Sequence, residues 1–259
     1  MNERTLGFDQ SVGIVFDGDD TLWLTEALYD DARDHVRAIV VESGADGAKW
    51  EALQRRIDVE NVSRLGYSPE RFPTSCLEAY EQLRETDGRP LRLELRGLIR
   101  SAARSVFNRA AELVPDARET LSLLRADGIR MALLTKGDLA VQRRRIDDSG
   151  LAGYFDLIRI VSTKTPDDIQ ALVTELRVPK DGAWMVGNSI RSDVLPAIEA
   201  GIRAIWLRAH VWEYERAHDH LVDDRVVEVA RIRDVPAAIA AAYACKRTEL
   251  PVATGAPLG

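Results

Sequence analysis

Three aspartates, Asp17, Asp19 and Asp20, follow directly on a short apolar run in the stretch VGIVFDGDDTLW, residues 12–23. Carboxylates crowded on one sharp loop repel each other, and a hard divalent cation, most simply Mg2+, would compensate them. The alternative is a solvated acidic turn in which Asp20 and Thr21 act as caps, since turns favour Asp. Three later stretches carry groups suited to a common site. LLTKGD puts Thr135 and Lys136 at the end of an apolar run, STKTPDD offers Lys164 as a fixed cation, and MVGNSIRSD ends in Asp193, which could share the metal of the first cluster. Carboxylates for Mg2+, a hydroxyl and backbone amides for oxygens, and a lysine to neutralise charge together make a phosphoryl-transfer site.

The elements that must position these groups alternate along the chain. VGIVF (12–16), IRMALLT (129–135), FDLIRIV (155–161), AWMVG (183–187), RAIWL (203–207) and RVVEVA (225–230) are short and rich in β-branched or large apolar residues, as buried strands are. Helical stretches lie between them; in PDARETLSLLRADG (115–128), Pro115 and Asp116 suit a helix start and Gly128 a C-terminal cap. Such alternation predicts an α/β fold: a Rossmann-like, mostly parallel sheet with helices on both faces, whose ligands bind beyond the carboxyl ends of the strands. Residues 24–110 break the pattern. LTEALYDDARDHVRAIVVES keeps apolar residues on one side at helical spacing, and PLRLELRGLIRSAARSVFNRAAEL does so behind Pro90. A helical segment inserted after the first strand predicts a separate helical cap over 24–110, with a core made of 1–23 and 111–259. The tail KRTELPVATGAPLG is expected to fray, and no internal repeat is present.

Bulk properties limit the classes of function. A chain of 259 residues buries a sizeable core and fits a domain carrying an insertion. With 46% hydrophobic and 30% charged residues it is neither disordered nor membrane-embedded. The formal net charge of -7 and a pI near 5.3 argue against general affinity for nucleic acid or anionic membranes. Cys76 and Cys245 are far apart without zinc-type spacing, consistent with reduced thiols in a cytoplasmic protein. MNERTLGFDQ lacks the apolar core of a signal peptide, and no run has the length of a membrane span.

The chain resembles the haloacid dehalogenase superfamily, whose phosphatases carry D-x-D-x-T after the first strand, present here as Asp17, Asp19 and Thr21. The second motif of that family, a Thr or Ser ending a strand, matches Thr135. Its third, a lysine, matches Lys164, and its fourth, often G-D-x-x-x-x-D, matches GNSIRSD ending at Asp193. One departure is Asn188, which stands where many members have an aspartate near the metal. It removes a negative charge but retains an amide for a coordinated water. The resemblance implies that Asp17 attacks phosphorus as a nucleophile, that Asp19 protonates the leaving alcohol and then activates water, and that Asp17, Asp19 and Asp193 hold Mg2+. It also implies phosphate binding by Gly18, Thr135, Lys136, Lys164 and Asn188, with Lys136 alternatively a solvent-facing charge. Competing chemistries are 2-haloacid dehalogenation, which needs no acid such as Asp19, a phosphomutase, and a low-turnover binding or regulatory protein.

The implied partner is a small phosphate ester, with neither nucleic acid nor membrane; monomer and homodimer are left open. Specificity is expected in the cap, where LGYSPERFPTS (65–75) reads as a loop bringing Tyr67, Arg71 and Phe72 to the substrate. Alternatively Tyr67 and Phe72 are cap core and Arg71 a surface charge. Arg89, Arg92, Arg96, Arg100 and Arg104 recur at three- and four-residue spacing; a solvated face paired with acids is preferred over a polyanion site. AHVWEYE (209–215) could bring His210, Trp212 or Glu215 to the pocket rim or simply pack a loop. Trp23 and Trp184 are expected to pack a hinge or the core.

Overall fold

Six strands form one sheet in a computed structural model that describes residues 11–209, 212–215 and 223–249. They are β1 (Gly13–Phe16), β2 (Arg130–Lys136), β3 (Leu157–Val161), β4 (Ala183–Gly187), β5 (Arg203–Leu207) and β6 (Val226–Val229). The order is β3-β2-β1-β4-β5-β6 and every pairing is parallel. All six expected strands are present, with ends displaced by one or two residues in β1, β2, β3 and β6.

β1 lies between β2 and β4, so the chain winds outward from it in both directions and leaves a crevice at the carboxyl ends. The register fixes what meets there. Phe16 is level with Leu133 on one side and Val186 on the other. Asp17 follows Phe16 directly, and Thr135 and Asn188 lie two places beyond Leu133 and Val186, so the three gather at the carboxyl ends of adjacent strands; Asp17 N–H donates to the Val186 carbonyl at 2.9 Å.

Five helices follow β1: α1 (Glu26–Glu42), α2 (Gly47–Glu60), α3 (Val62–Leu65), α4 (Arg71–Thr86) and α5 (Glu94–Arg104). The others are α6 (Ala117–Ala126), α7 (Leu139–Ser149), α8 (Pro166–Glu175), α9 (Leu195–Glu199) and α10 (Val235–Glu249). Successive strand residues point to opposite faces: Ile14 and Phe16 join a core with Leu121, Leu133 and Ile239, whereas Val15 joins Leu134, Ile169, Leu172 and Met185. Helices thus cover both faces of the sheet. The inserted helices gather a third core around Val36, Trp50, Phe72, Tyr80 and Ile99. The two passages between insertion and sheet run side by side: Leu24 N–H donates to the Glu112 carbonyl at 2.7 Å and Val114 N–H to the Leu22 carbonyl at 3.0 Å. Trp23 sits in this ribbon, 1% exposed, while Trp184 is core.

Several expected boundaries move. The segment expected to be a loop over 65–75 is already helical from Arg71, because Pro73 falls in the first turn, where its missing N–H is not needed. The next helix starts at Glu94 and not behind Pro90, since Arg84 binds the Pro90 carbonyl at 2.8 Å and holds it away from any helical partner. Arg89 and Arg92 consequently fall outside the helical stripe. Arg89 binds the Gly44 carbonyl at 2.7 Å, and Arg92, Arg96 and Arg104 pair with Glu94, Glu81 and Glu70, so this is a solvated, paired face. Of the tail expected to fray, residues 246–249 are helical and 250–259 lie outside the described residues, as do His210 and residues 1–10. Among the described residues no helix is long and apolar enough to cross a membrane.

Candidate active site

Asp17 leaves β1 into a tight loop in which the Gly18 carbonyl accepts from Thr21 and Leu22 at 3.2 and 2.8 Å. A Cβ on Gly18 would lie 2.4 Å from the Trp23 ring, so only glycine lets the loop close over that side chain. Thr21 Oγ1 donates to Asp17 Oδ2 at 3.1 Å. The other Asp17 oxygen accepts from Lys164 Nζ, which also donates to Asp193 Oδ1 at 2.6 Å. Asp193 is 1% exposed and sits on the single π-helical turn Ile190–Val194, a geometry common at functional sites. Its second oxygen accepts from Ser189 N–H at 2.9 Å. Beside them the Thr135 hydroxyl is buried without a hydrogen-bond partner.

Two buried carboxylates share one ammonium here. Burial and then the charge of Asp193 push the Asp17 carboxyl up, against the pull of Lys164. Burial works against the charge of Lys164, yet Asp17 and Asp193 together hold it ionised above the usual lysine range. The pocket therefore keeps uncompensated negative charge. Its donors are oxygens, which suit a hard divalent cation. Among the described residues no three His, Cys, Asp or Glu side chains form a metal cluster. A cation would be held by the Asp17 and Asp193 carboxylates with the Asp19 carbonyl, Asn188 and water, which fits the way Mg2+ keeps part of its hydration.

The Asp19 side chain turns to different partners. Its oxygens accept from Trp23 Nε1 at 2.7 Å, Thr25 Oγ1 at 2.9 Å, Gln142 Nε2 at 2.8 Å and Arg145 Nη1 at 3.0 and 3.2 Å. Burial would raise its pKa, but Arg145 and these hydrogen bonds outweigh it and hold the carboxyl below the ordinary value. In this arrangement Asp19 is an ionised acceptor with its lone pairs occupied. Asp20, with φ 58°, caps α1, its carboxylate accepting from Thr25 N–H at 2.8 Å and Glu26 N–H at 3.1 Å. Burial and the neighbouring Glu26 push Asp20 up to about 8.

Asp17, Asp19, Asp20, Thr135, Lys164 and Asp193 line one cavity between sheet and insertion, of about 780 Å³ including its mouth. The insertion contributes Tyr29, Arg33, Asp58, Tyr67 and Arg71, and the core contributes Lys136, Asn188, Trp212 and Glu215. Tyr67 Oη donates to Glu215 Oε1 at 3.0 Å, and Lys136 Nζ donates to Glu215, to Ser192 Oγ and, at 3.2 Å, to Tyr67 Oη. Lys136 is thus engaged across the rim, not free in solvent. Phe72 follows the second of its two readings and not the substrate contact: it is 0% exposed in the core of the insertion, edge-on to Tyr29 at 5.0 Å, because the α4 face that carries it turns inward. Arg145 and Gln142 went unrecognised in the sequence. They share a face of α7 with buried Ile146 and Ser149, whereas Arg143 and Arg144 point outward. Helix phase within VQRRRIDDS is the signal that would have singled out Arg145.

Sequence comparison matches the haloacid dehalogenase-like hydrolase family over residues 13–201. The chain is 34% identical over 134 residues to a phosphoserine phosphatase of Thermus thermophilus, a match covering 49% of this chain and only about half, 51%, of that protein. It is 26% identical over 209 residues to a pyrimidine 5'-nucleotidase of Escherichia coli, covering 76% of this chain and 86% of that one. A haloacid dehalogenase-like family hydrolase from Xanthomonas campestris superimposes with a TM-score of 0.73 at 29% identity, covering 93% of this chain and 100% of the other. With four of the six strands and all four strand-end groups inside the matched span, the chain belongs to the haloacid dehalogenase-like hydrolases.

Proposed function

We propose that the protein is a Mg2+-dependent phosphatase that hydrolyses a small phosphate monoester through an aspartyl-phosphate on Asp17, with residues 24–110 acting as a cap over the site. The observation that carries this is the buried group in which Lys164 bridges Asp17 and Asp193 next to an unpartnered Thr135 hydroxyl. That hydroxyl has a proton to give and no acceptor, which is what a phosphoryl oxygen supplies. Mg2+ held by Asp17, Asp193 and the Asp19 carbonyl would shield the charge between nucleophile and phosphate.

The Asp17 carboxylate forms the new bond to phosphorus as the ester oxygen departs in line, taking a proton from Asp19. Water then attacks phosphorus, Asp19 accepts its proton, and the bond to Asp17 breaks to release inorganic phosphate. Lys164 holds Asp17 in place throughout. Because Gln142 and Arg145 occupy the Asp19 oxygens, Asp19 takes up the proton only by exchanging those partners. The named activities of the Thermus and Escherichia relatives, both phosphate ester hydrolases, support this chemistry. The buried free thiol of Cys76 supports a reducing, cytoplasmic setting.

Phosphate release from a panel of phosphomonoesters, with and without Mg2+, tests the proposal. Wild-type release that disappears without the metal and in Asp17→Asn is the expected result. Transfer of the phosphoryl group to a sugar without net release would mark a mutase instead, and release undiminished in Asp17→Asn would remove the covalent mechanism.

A further inference from the structure

The insertion side of the cavity is built around a pair that is incompletely satisfied. Arg71 Nη1 donates to the Asp58 carboxylate through Oδ2 and, at 3.3 Å, to the Asp58 carbonyl. Both side chains are deeply buried, 8% and 5% exposed, yet Arg71 Nε and Asp58 Oδ1 have no hydrogen-bond partner. Buried polar atoms are almost always paired, and those left unpaired in a cavity wall ask for a ligand. The Arg71 guanidinium carbon lies 4.4 Å from the centroid of the Trp212 ring, which holds it against the wall. The remaining charged groups on this side are Arg33, engaged by Asp30 and Gln54, and Glu26. Asp58 offsets Arg71 and Asp30 offsets Arg33, which leaves Glu26, its carboxyl pushed up to about 7 by burial, so this end carries no full surplus of either sign.

We propose that Arg71 and Asp58 form a subsite for the non-phosphate end of the substrate, selecting an end without net charge that offers Arg71 Nε an acceptor and Asp58 Oδ1 a donor side by side. A vicinal diol does this, and so does an ammonium–carboxylate zwitterion. A lone carboxylate would satisfy Arg71 but confront Asp58 and Glu26. A lone ammonium would satisfy Asp58 but confront Arg71 and Arg33. An apolar end would displace water and leave both atoms unpaired, which is the situation that lets sites built for hydrogen bonding reject analogues strongly. This subsite rests on the phosphatase reading above.

The test measures kcat/KM of the full chain with Mg2+ for five esters: O-phosphoserine and glycerol 1-phosphate with neutral polar ends, anionic phosphoglycolate, cationic phosphoethanolamine, and apolar phenyl phosphate. At least one of the first two should exceed each of the other three by about tenfold or more. In the double variant Asp58→Asn/Arg71→Gln, which leaves no buried charge alone, the ratio of the preferred ester to phenyl phosphate should fall by about tenfold. Hydrolysis of phenyl phosphate with no preference for neutral polar ends, a preference for phosphoglycolate, or a ratio unchanged in a folded double variant would each overturn the subsite alone. Failure to hydrolyse any of the five would overturn the phosphatase reading and the subsite with it.

Discussion

At the scale of single residues the site depends on a backbone position that carries no side chain. A Cβ on Gly187, the last residue of β4, would lie 2.2 Å from Asp193 Oδ2 and 2.3 Å from its carboxyl carbon. Gly187→Ala must therefore displace the Asp193 carboxylate from Lys164. Misplacing a group at the reacting centre by about 1 Å costs roughly 10²-fold, so phosphate release should drop by about that factor and demand more Mg2+. A Mg2+ titration of the variant checks this, with circular dichroism as the control for folding; an unchanged titration would mean that Asp193 does not serve the metal. Asp17, Thr135, Lys164 and Asp193 were legible in the sequence because each follows an apolar run, and a parallel sheet brings strand ends together. Arg145 was not, since three consecutive arginines look alike until the phase of α7 is known. Phe72 and Arg71 kept two readings for a related reason: neighbours in a polar stretch do not reveal that α4 buries both, Phe72 in the core of the insertion and Arg71 in the cavity wall.

At the scale of elements, insertion and core are joined at the rim by Tyr67, Lys136 and Glu215. Burial alone would raise the Glu215 pKa, but Lys136, Ser189 and Ser192 bring it down to about 2. Burial also lowers the Lys136 pKa, which Glu215 only partly offsets. In acid it is Glu215 that titrates. Its folded pKa lies below the unfolded value of 4.5, so its contribution is complete above about 4.5 and is lost as pH falls towards 2. The full effect is of order 3 kcal/mol. Glu215→Gln should lower Tm at pH 7, and the gap to wild type should shrink on going to pH 3. A gap that stays constant with pH would show that the charge on Glu215 does not hold the rim. Glu215 was visible in the sequence only as a charged residue after β5, because its partners come from three distant elements. The strands were legible as short apolar runs, whereas helix starts such as Arg71 and Glu94 are set by Pro73 and by the Arg84 contact to Pro90.

At the scale of the whole molecule, alternating strand and helix patterns made the parallel sheet legible, and helical patterns on both sides of the loop expected at 65–75 pointed to the helices that follow β1. The strand order and the cavity were not legible, because both depend on which elements pack together. What packing adds is a molecule with a sheet flanked by two cores and a third core confined to the insertion. The ribbon at residues 22–24 and 112–114 is the covalent connection between them, and the rim contacts are polar. Two bodies joined in this way need not unfold as one. Trp50 is 0% exposed at the centre of the insertion, with its indole N–H on the Cys76 carbonyl at 3.1 Å. Removing it in Trp50→Ala should cost about 3–5 kcal/mol, felt by the insertion and not by the sheet. Calorimetry of this variant should show an early transition split from a later one that stays near the wild-type Tm. Mg2+ with inorganic phosphate, bound between the two bodies, should draw the transitions together by stabilising only the assembled form. A single transition displaced as a whole would mean that the third core is energetically continuous with the other two, and that substrate closes no gap between separate bodies.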